Sequence, residues 1–183
     1  MVCKRAPRQQ VAEKTLKRLN PQKINSTKLP VVFDKRISND LLGYLASSIS
    51  GTSIARGTSF LKDSLGKQVF NKDVTIIDDP SINRGLGSKP FDGEGIKVKK
   101  REIVTNGKLN SWILNTSTAK KLGLKTTGNA SRSVGSPPGV STSNLYMTNG
   151  IKSYDDIITS INYGFYATEL IGMGVNLVTG DYS

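Results

Sequence analysis

The sequence predicts an α+β fold of short strands and turns with a few short helices, and three observations carry that expectation. Glycine is abundant, 18 of 183 residues, while hydrophobic residues reach only 36%, a balance that suits turns and short strands better than a helix bundle. Asn106-Gly107 stands between the apolar runs Ile96–Val104 and Leu109–Leu114, the strongest short-range hairpin signal. One segment, Ser38–Ile49, carries a clear helical period, with Leu41, Leu42, Leu45, Ala46 and Ile49 on one face. At this length the chain can bury one real core.

Taken in order, residues 1–10 are basic and irregular and predict a disordered tail. Val11–Leu19 spaces Ala12, Leu16 and Leu19 as a short amphipathic helix that Pro21 stops. Leu29–Phe33 suits a short buried strand. Ser38 offers a cap for the clear helix, and Gly51 lies just beyond its end. Val74–Ile77 reads as a strand, and the hairpin on Asn106-Gly107 follows, with Trp112 on its second arm facing the core. A helix capped near Thr116 or Ser117 closes at Gly123. Gly128–Ser143, rich in Gly, Ser and Pro, reads as a loop. Leu145–Met147 is a short strand, Tyr154–Ile161 a helix behind Ser153, and Phe165–Ile171 a strand. No internal repeat of solenoid period is present.

The net charge of +12 raises nucleic acid as a partner, so its distribution matters. Residues 1–36 hold ten Lys/Arg against two acids, a net +8, and residues 37–183 hold sixteen against twelve, a net +4. The excess therefore belongs to the N-terminal stretch. A second cluster, Lys97, Lys99, Lys100 and Arg101, falls on an expected strand, where alternate side chains face opposite ways and make no continuous stripe. No aromatic-rich strand is laid out for base stacking. A solvated basic surface accounts for the charge. No apolar stretch approaches bilayer-spanning length. The single cysteine, Cys3, excludes an intrachain disulfide and fits a reducing cytosol.

The segment richest in information is Asp78–Gly95, DDPSINRGLGSKPFDGEG, with four acids, four glycines and two prolines. Glycine permits close backbone approach and proline stiffens the path, so this is a long structured loop of the kind that carries binding sites; an ordinary well-folded surface loop is the plainer reading. Several runs in and around it form a set: Ser59-Phe60-Leu61-Lys62-Asp63, Val74 to Pro80, Gly85-Leu86-Gly87-Ser88, Phe91-Asp92-Gly93-Glu94-Gly95, Thr118 to Leu124, Asn144-Leu145-Tyr146 and Val175 to Ser183. In order and spacing they resemble the TldD/TldE (PmbA) metallopeptidase family, and within it the PmbA/TldE-like branch that also carries the label of DNA gyrase modulator.

The resemblance implies a mixed, mainly antiparallel, half-barrel-like sheet with a few short helices. It implies that residues 11–183 form an incomplete C-terminal-type domain of that family, a fragment of its C-terminal half. In the zinc-carrying TldD branch a His-Glu-x-x-x-His motif lies on a helix. The matching positions here are Gly43, Tyr44 and Ser48, and the chain contains no histidine at all. Serine–histidine and cysteine–histidine chemistry is excluded for the same reason. Carboxylates alone favour harder ions than zinc, and Cys3 lies outside the region where that branch supplies its cysteine. The expectation is a non-catalytic PmbA/TldE-like subunit with no catalytic, cofactor or metal residues of its own. Zinc is expected in a TldD-like catalytic partner, peptide substrate is met through the complex, and the setting is the cytoplasm with no membrane contact. Asp79, Asp92, Glu94 and Arg132 are the expected partner or substrate contacts, the plainer reading of each being a local turn bond or a surface ion pair. The alternatives are a basic nucleic-acid-associated protein and an inactive gene remnant.

Overall fold

The computed structural model describes residues 7–170 and 174–182. Its centre is a four-stranded antiparallel sheet in the order β4-β3-β2-β7, built from β2 (Ile76–Asp78), β3 (Arg101–Thr105), β4 (Lys108–Leu109) and β7 (Leu145–Met147). Asn106 and Gly107 both take positive φ, 49° and 75°, the two-residue hairpin turn whose twist matches the flanking strands. The hairpin is shorter than expected. Lys97–Arg101 does not form a continuous strand: Lys97 makes only an isolated bridge to Phe91, and regular pairing begins at Arg101.

Helix α2 (Ser38–Ser48) and the short α3 (Gly51–Ala55) cover this sheet. Leu45 and Ile49 join Leu61, Ile76, Ile103, Val104, Leu109 and Ile113 in the buried core. Trp112 is half-buried against it. Ser38 is the first residue of α2 rather than its cap; the chain enters through a turn in which Ile37 and Ser38 both donate backbone N–H groups to the Asp34 carbonyl. Leu41 faces out at 38% exposure, because the inward stripe runs through Leu45, Ser48 and Ile49. Gly51 starts α3 instead of ending α2. A Cβ there would lie 2.5 Å from Thr118 Oγ1 and 2.8 Å from Leu114 Cδ2, so close helix packing rather than capping requires the glycine. Helix α4 (Thr116–Lys121), which presses on Gly51, is capped by Asn115 one residue earlier than expected, with its side chain accepting from Thr118 N at 2.8 Å.

The remaining elements are small. The stretch 128–143, expected to be a loop, contains a hairpin of β5 (Ala130–Ser131) and β6 (Gly139–Val140). Helix α5 (Tyr154–Thr159) follows the Ser153 cap. Strand β1 (Val31–Phe33) pairs in parallel with β8 (Phe165–Ala167) in a separate ribbon, so the expected buried strand is half-exposed. Helix α1 spans Pro7–Leu16, not Val11–Leu19, and residues 7–10 of the expected disordered tail are helical; residues 1–6, with Cys3, lie outside the described residues, as does Ile171 of the last expected strand. Val11, Leu16 and Leu19 are all more than 60% exposed, so α1 buries no apolar face. Among the described residues no helix is long and apolar enough to cross a membrane.

Candidate functional site: a groove along the second helix

The helical phase that turns Leu45, Ser48 and Ile49 inward turns Asn39, Asp40, Gly43 and Ser47 outward along α2. Opposite them stand Thr142, Ser143 and Leu145, leading into β7. Between the two lies a groove of about 530 Å³. It shares Ala46, Ser47 and Thr142 with a second hollow of about 340 Å³ that runs on past Ser50 and Ser53. At Gly43 the groove is open space, since a Cβ at that position would meet nothing within 4 Å. The lining mixes the hydroxyls of Ser47, Ser50, Thr142 and Ser143 and the amide of Asn39 with the apolar Leu42, Leu145, Ile113 and Val140, and Asp40 is its one carboxylate.

The wall facing α2 is held from behind by the acidic glycine loop. Asp78, at the end of β2 and 3% exposed, accepts from Ser143 N at 2.7 Å and from Asn129 Nδ2 at 2.9 Å. Asn129 Nδ2 also donates to the Ser141 carbonyl. Burial pushes the Asp78 carboxyl above its usual range, against the lowering effect of these donors and of Lys89 and Arg101. Asn144 does the rest. Its Nδ2 donates to Asp79 O at 2.7 Å and Ser88 Oγ at 2.9 Å, and its Oδ1 accepts from Gly87 N at 2.9 Å. A Cβ on Gly87 would sit 2.6 Å from the Ser143 carbonyl carbon, so glycine there is what lets the loop lie against the wall.

None of the four expected contact residues lines this groove. Asp79 accepts from Ser81 N at 2.9 Å and Ser81 Oγ at 2.5 Å, and these bonds hold its carboxyl below the usual range; Lys100 Nζ is 3.8 Å away. Asp92 is buried, and its two oxygens accept from Glu94 N, Ile96 N and Ala130 N at 2.9 to 3.0 Å. Glu94 accepts from Thr116 N at 2.9 Å and Thr116 Oγ1 at 2.6 Å, at the start of α4. Arg132 is exposed just beyond β5. Asp92 and Glu94 thus fasten the loop to β5 and α4, while the Asp79 carboxylate closes a local turn on Ser81. The groove residues Asn39, Asp40, Ser47, Thr142 and Ser143 were not singled out by sequence reasoning. The outward phase of α2 was the signal that could have found the first three.

The groove's donors do not fit zinc. Gly43 offers no ligand, Tyr44 packs edge-on to Tyr182 with ring centres 5.6 Å apart, and the buried Ser48 Oγ donates to Tyr44 O at 2.8 Å. Asp40 alone cannot make the three-ligand set of a catalytic zinc. Among the described residues no three of His, Cys, Asp and Glu gather where an ion could sit.

Residues 26–183 match the family model described as the PmbA/TldA metallopeptidase C-terminal domain. The chain is 39% identical over 172 residues to metalloprotease PmbA of Escherichia coli O157:H7, covering 94% of this chain and 36% of that protein. A PmbA homolog of Haemophilus influenzae is equally similar, again at 39% over 172 residues with the same coverage. The chain therefore spans just over a third of the length of these curated relatives. A Bacteroides thetaiotaomicron crystal structure bearing the description of a DNA gyrase modulator superposes with a TM-score of 0.81 at 30% identity, covering 95% of this chain and 37% of that one. TldE of Thermococcus kodakarensis superposes at 0.69 with 27% identity, covering 79% and 33%. By motif order, identity and fold, this chain belongs to the PmbA/TldA metallopeptidase C-terminal domain family.

Proposed function

We propose that this chain serves as a non-catalytic, PmbA/TldE-like part of a cytoplasmic peptidase assembly, in which a TldD-like partner holds zinc and cuts the peptide. The α2 groove carries this reading: it is long, mixes hydroxyl and amide groups with apolar side chains, holds a single carboxylate in Asp40 and is short of metal donors. Hydroxyls and amides on both walls match the alternating N–H and C=O groups of an extended peptide, and they do so without selecting a side-chain charge. The Asp78–Asn144 clasp keeps the wall in place, so little order is lost when a peptide enters. The chain then contributes binding and enclosure, and the partner contributes the chemistry.

The test is co-expression with the TldD-like protein of the same cell, followed by size-exclusion chromatography at low and high salt. A joint peak that persists at high salt supports the assembly, because a purely charge-driven association of this basic chain would be screened. Separate elution at both salts overturns it. Binding to DNA that falls steeply with salt, without association with the TldD-like protein, favours the nucleic-acid alternative.

A further inference from the structure

Away from the groove, three pairs in the chain, Asp92-Gly93, Asn106-Gly107 and Asn149-Gly150, place a side-chain carbonyl carbon beside the backbone nitrogen of a glycine. With no Cβ to hinder it, that nitrogen can attack the carbonyl carbon and close a five-membered ring, which is why asparagine before glycine is a thermolabile pair. Attack requires the glycine N–H to be free and the backbone to rotate toward the side chain. A hydrogen bond on that N–H, or a backbone fixed in a turn, withholds both. The three pairs differ sharply in this respect.

Two of them are locked. Gly93 N donates to Ala130 O at 2.9 Å, and the buried Asp92 has both oxygens engaged by Glu94 N, Ile96 N and Ala130 N. Asn106-Gly107 is the hairpin turn, with both residues at positive φ. Gly107 N donates to Val74 O at 2.7 Å, and the Gly107 carbonyl accepts from Val69 N at 2.9 Å and Phe70 N at 3.0 Å. The Asn106 carbonyl accepts from Gln68 Nε2 at 2.9 Å. A Cβ on Gly107 would press on Phe70 O and lie 2.5 Å from Asn71 O, so the turn has no room to swing into a ring. Asn149-Gly150 is held by none of this. Both residues are exposed, a Cβ on Gly150 would meet nothing within 4 Å, and neither residue makes a hydrogen bond among the described residues. The last bond before them is Thr148 N to Thr75 O at 3.0 Å, and α5 begins only at Tyr154.

We propose that Asn149 is a site of self-modification, converted by the neighbouring Gly150 nitrogen to aspartate and isoaspartate, while the hairpin protects Asn106. Hydroxide takes the proton of Gly150 N, and the nitrogen forms a bond to Asn149 Cγ. The Cγ–Nδ2 bond then breaks, and ammonia leaves with a proton from water, which restores the hydroxide. One water opens the resulting cyclic imide. Opening at Cγ gives aspartate with the main chain unchanged, and opening at the Asn149 main-chain carbonyl gives isoaspartate. The sum is one water consumed and one ammonia released, with no oxidant, reductant or cofactor. Either product adds a negative charge just beyond β7, and isoaspartate also inserts a methylene into the main chain beside Thr148, whose bond to Thr75 ties β7 to the stretch leading into β2. The reaction uses neither α2 nor a TldD-like protein, so it stands or falls separately from the proposed assembly.

The test is peptide mapping by mass spectrometry of the whole 183-residue chain, aged at mildly alkaline pH in a sample whose thermal unfolding is cooperative. Trypsin separates the two asparagines, since Asn106 falls in the peptide 102–108 and Asn149 in the peptide 133–152. Deamidation at Asn149 is expected to run at least about tenfold faster than at Asn106, because the hairpin must open before its nitrogen is free. In urea, where neither segment is held, the ratio is expected to fall toward one. Asn149→Gln, altered at an exposed position, is expected to keep the wild-type Tm and to abolish the reaction in 133–152, leaving Asn106 slow. A ratio near or below one in the folded chain overturns the proposal. So does a ratio that urea leaves unchanged, which assigns the difference to flanking sequence rather than to the fold, or aspartate formed at position 149 with no isoaspartate, which excludes the imide.

Discussion

Replacing Gly87 by alanine presses on the contact that joins the glycine loop to the groove wall. The added Cβ would lie 2.6 Å from the Ser143 carbonyl carbon, 3.1 Å from its Cα and closer still to its carbonyl oxygen. All three atoms are backbone, so no rotamer change relieves the clash. Gly87 does not take positive φ, which leaves the contact as the sole source of strain. Relief requires Ser143 and Gly87 to part, and two bonds stretch with them: Gly87 N to Asn144 Oδ1 at 2.9 Å and Ser143 N to Asp78 Oδ1 at 2.7 Å. Overpacking costs about 1–3 kcal/mol, and a weakened hydrogen bond adds about 1 kcal/mol. The stiffer unfolded chain returns about 0.5–1 kcal/mol. The balance is a loss of about 2–3 kcal/mol, or a fall in Tm of about 4–12 °C for a chain of this size. Thermal unfolding followed by circular dichroism reads it, with Gly43→Ala as control. Position 43 is an open helix site, so alanine there is expected to stabilise by about 0.5–1 kcal/mol. A Gly87→Ala chain that melts at or above the wild-type temperature refutes the clasp.

Other consequences follow from the same contacts. Asp78→Asn keeps the size but, in either orientation of the amide, puts an NH2 group against one of the two donors Ser143 N and Asn129 Nδ2, and is expected to cost about 2 kcal/mol in urea unfolding. Asn115→Ala removes both a cap and the buried bonds to Pro138 O and Gly139 O. It should cost about 2–3 kcal/mol, against about 0.5–1 kcal/mol for Ser153→Ala at the exposed cap of α5. Asp34 is held at a pKa of about 2 by the Arg36 backbone N–H, the Tyr166 hydroxyl and the Arg36 side chain. Its folded value lies below the usual one, so its contribution is complete above pH 4 and disappears as pH falls toward 2. Asp34→Asn is expected to flatten the loss of stability over that interval, and equal slopes for the two chains contradict the assignment.

Elements governed by local chemistry were legible in the sequence. The Asn106-Gly107 turn, the Ser153 cap and the apolar phase of α2 each rest on a few adjacent residues, and each formed. What went unread was decided by distant partners. Gly51 looks like a helix terminator, yet its role is set by Thr118 and Leu114 across the fold. The Leu29–Phe33 run is apolar enough for the core, yet β1 pairs with β8 outside it. Asp92 and Glu94 look like surface acids within an exposed loop, whereas their acceptors' partners, Ala130 and Thr116, stand 38 and 22 residues away. The groove escaped notice because its Ser/Thr wall carries no motif, and only the Asp78 and Asn144 bonds bring it opposite α2.

The most direct measurement is the zinc content and peptidase activity of the chain purified without any partner. With no histidine and no gathered metal donors among the described residues, the account predicts substoichiometric zinc by mass spectrometry and no peptide cleavage that a chelator stops. A tightly held, stoichiometric zinc together with chelator-sensitive cleavage in a partner-free preparation would contradict it.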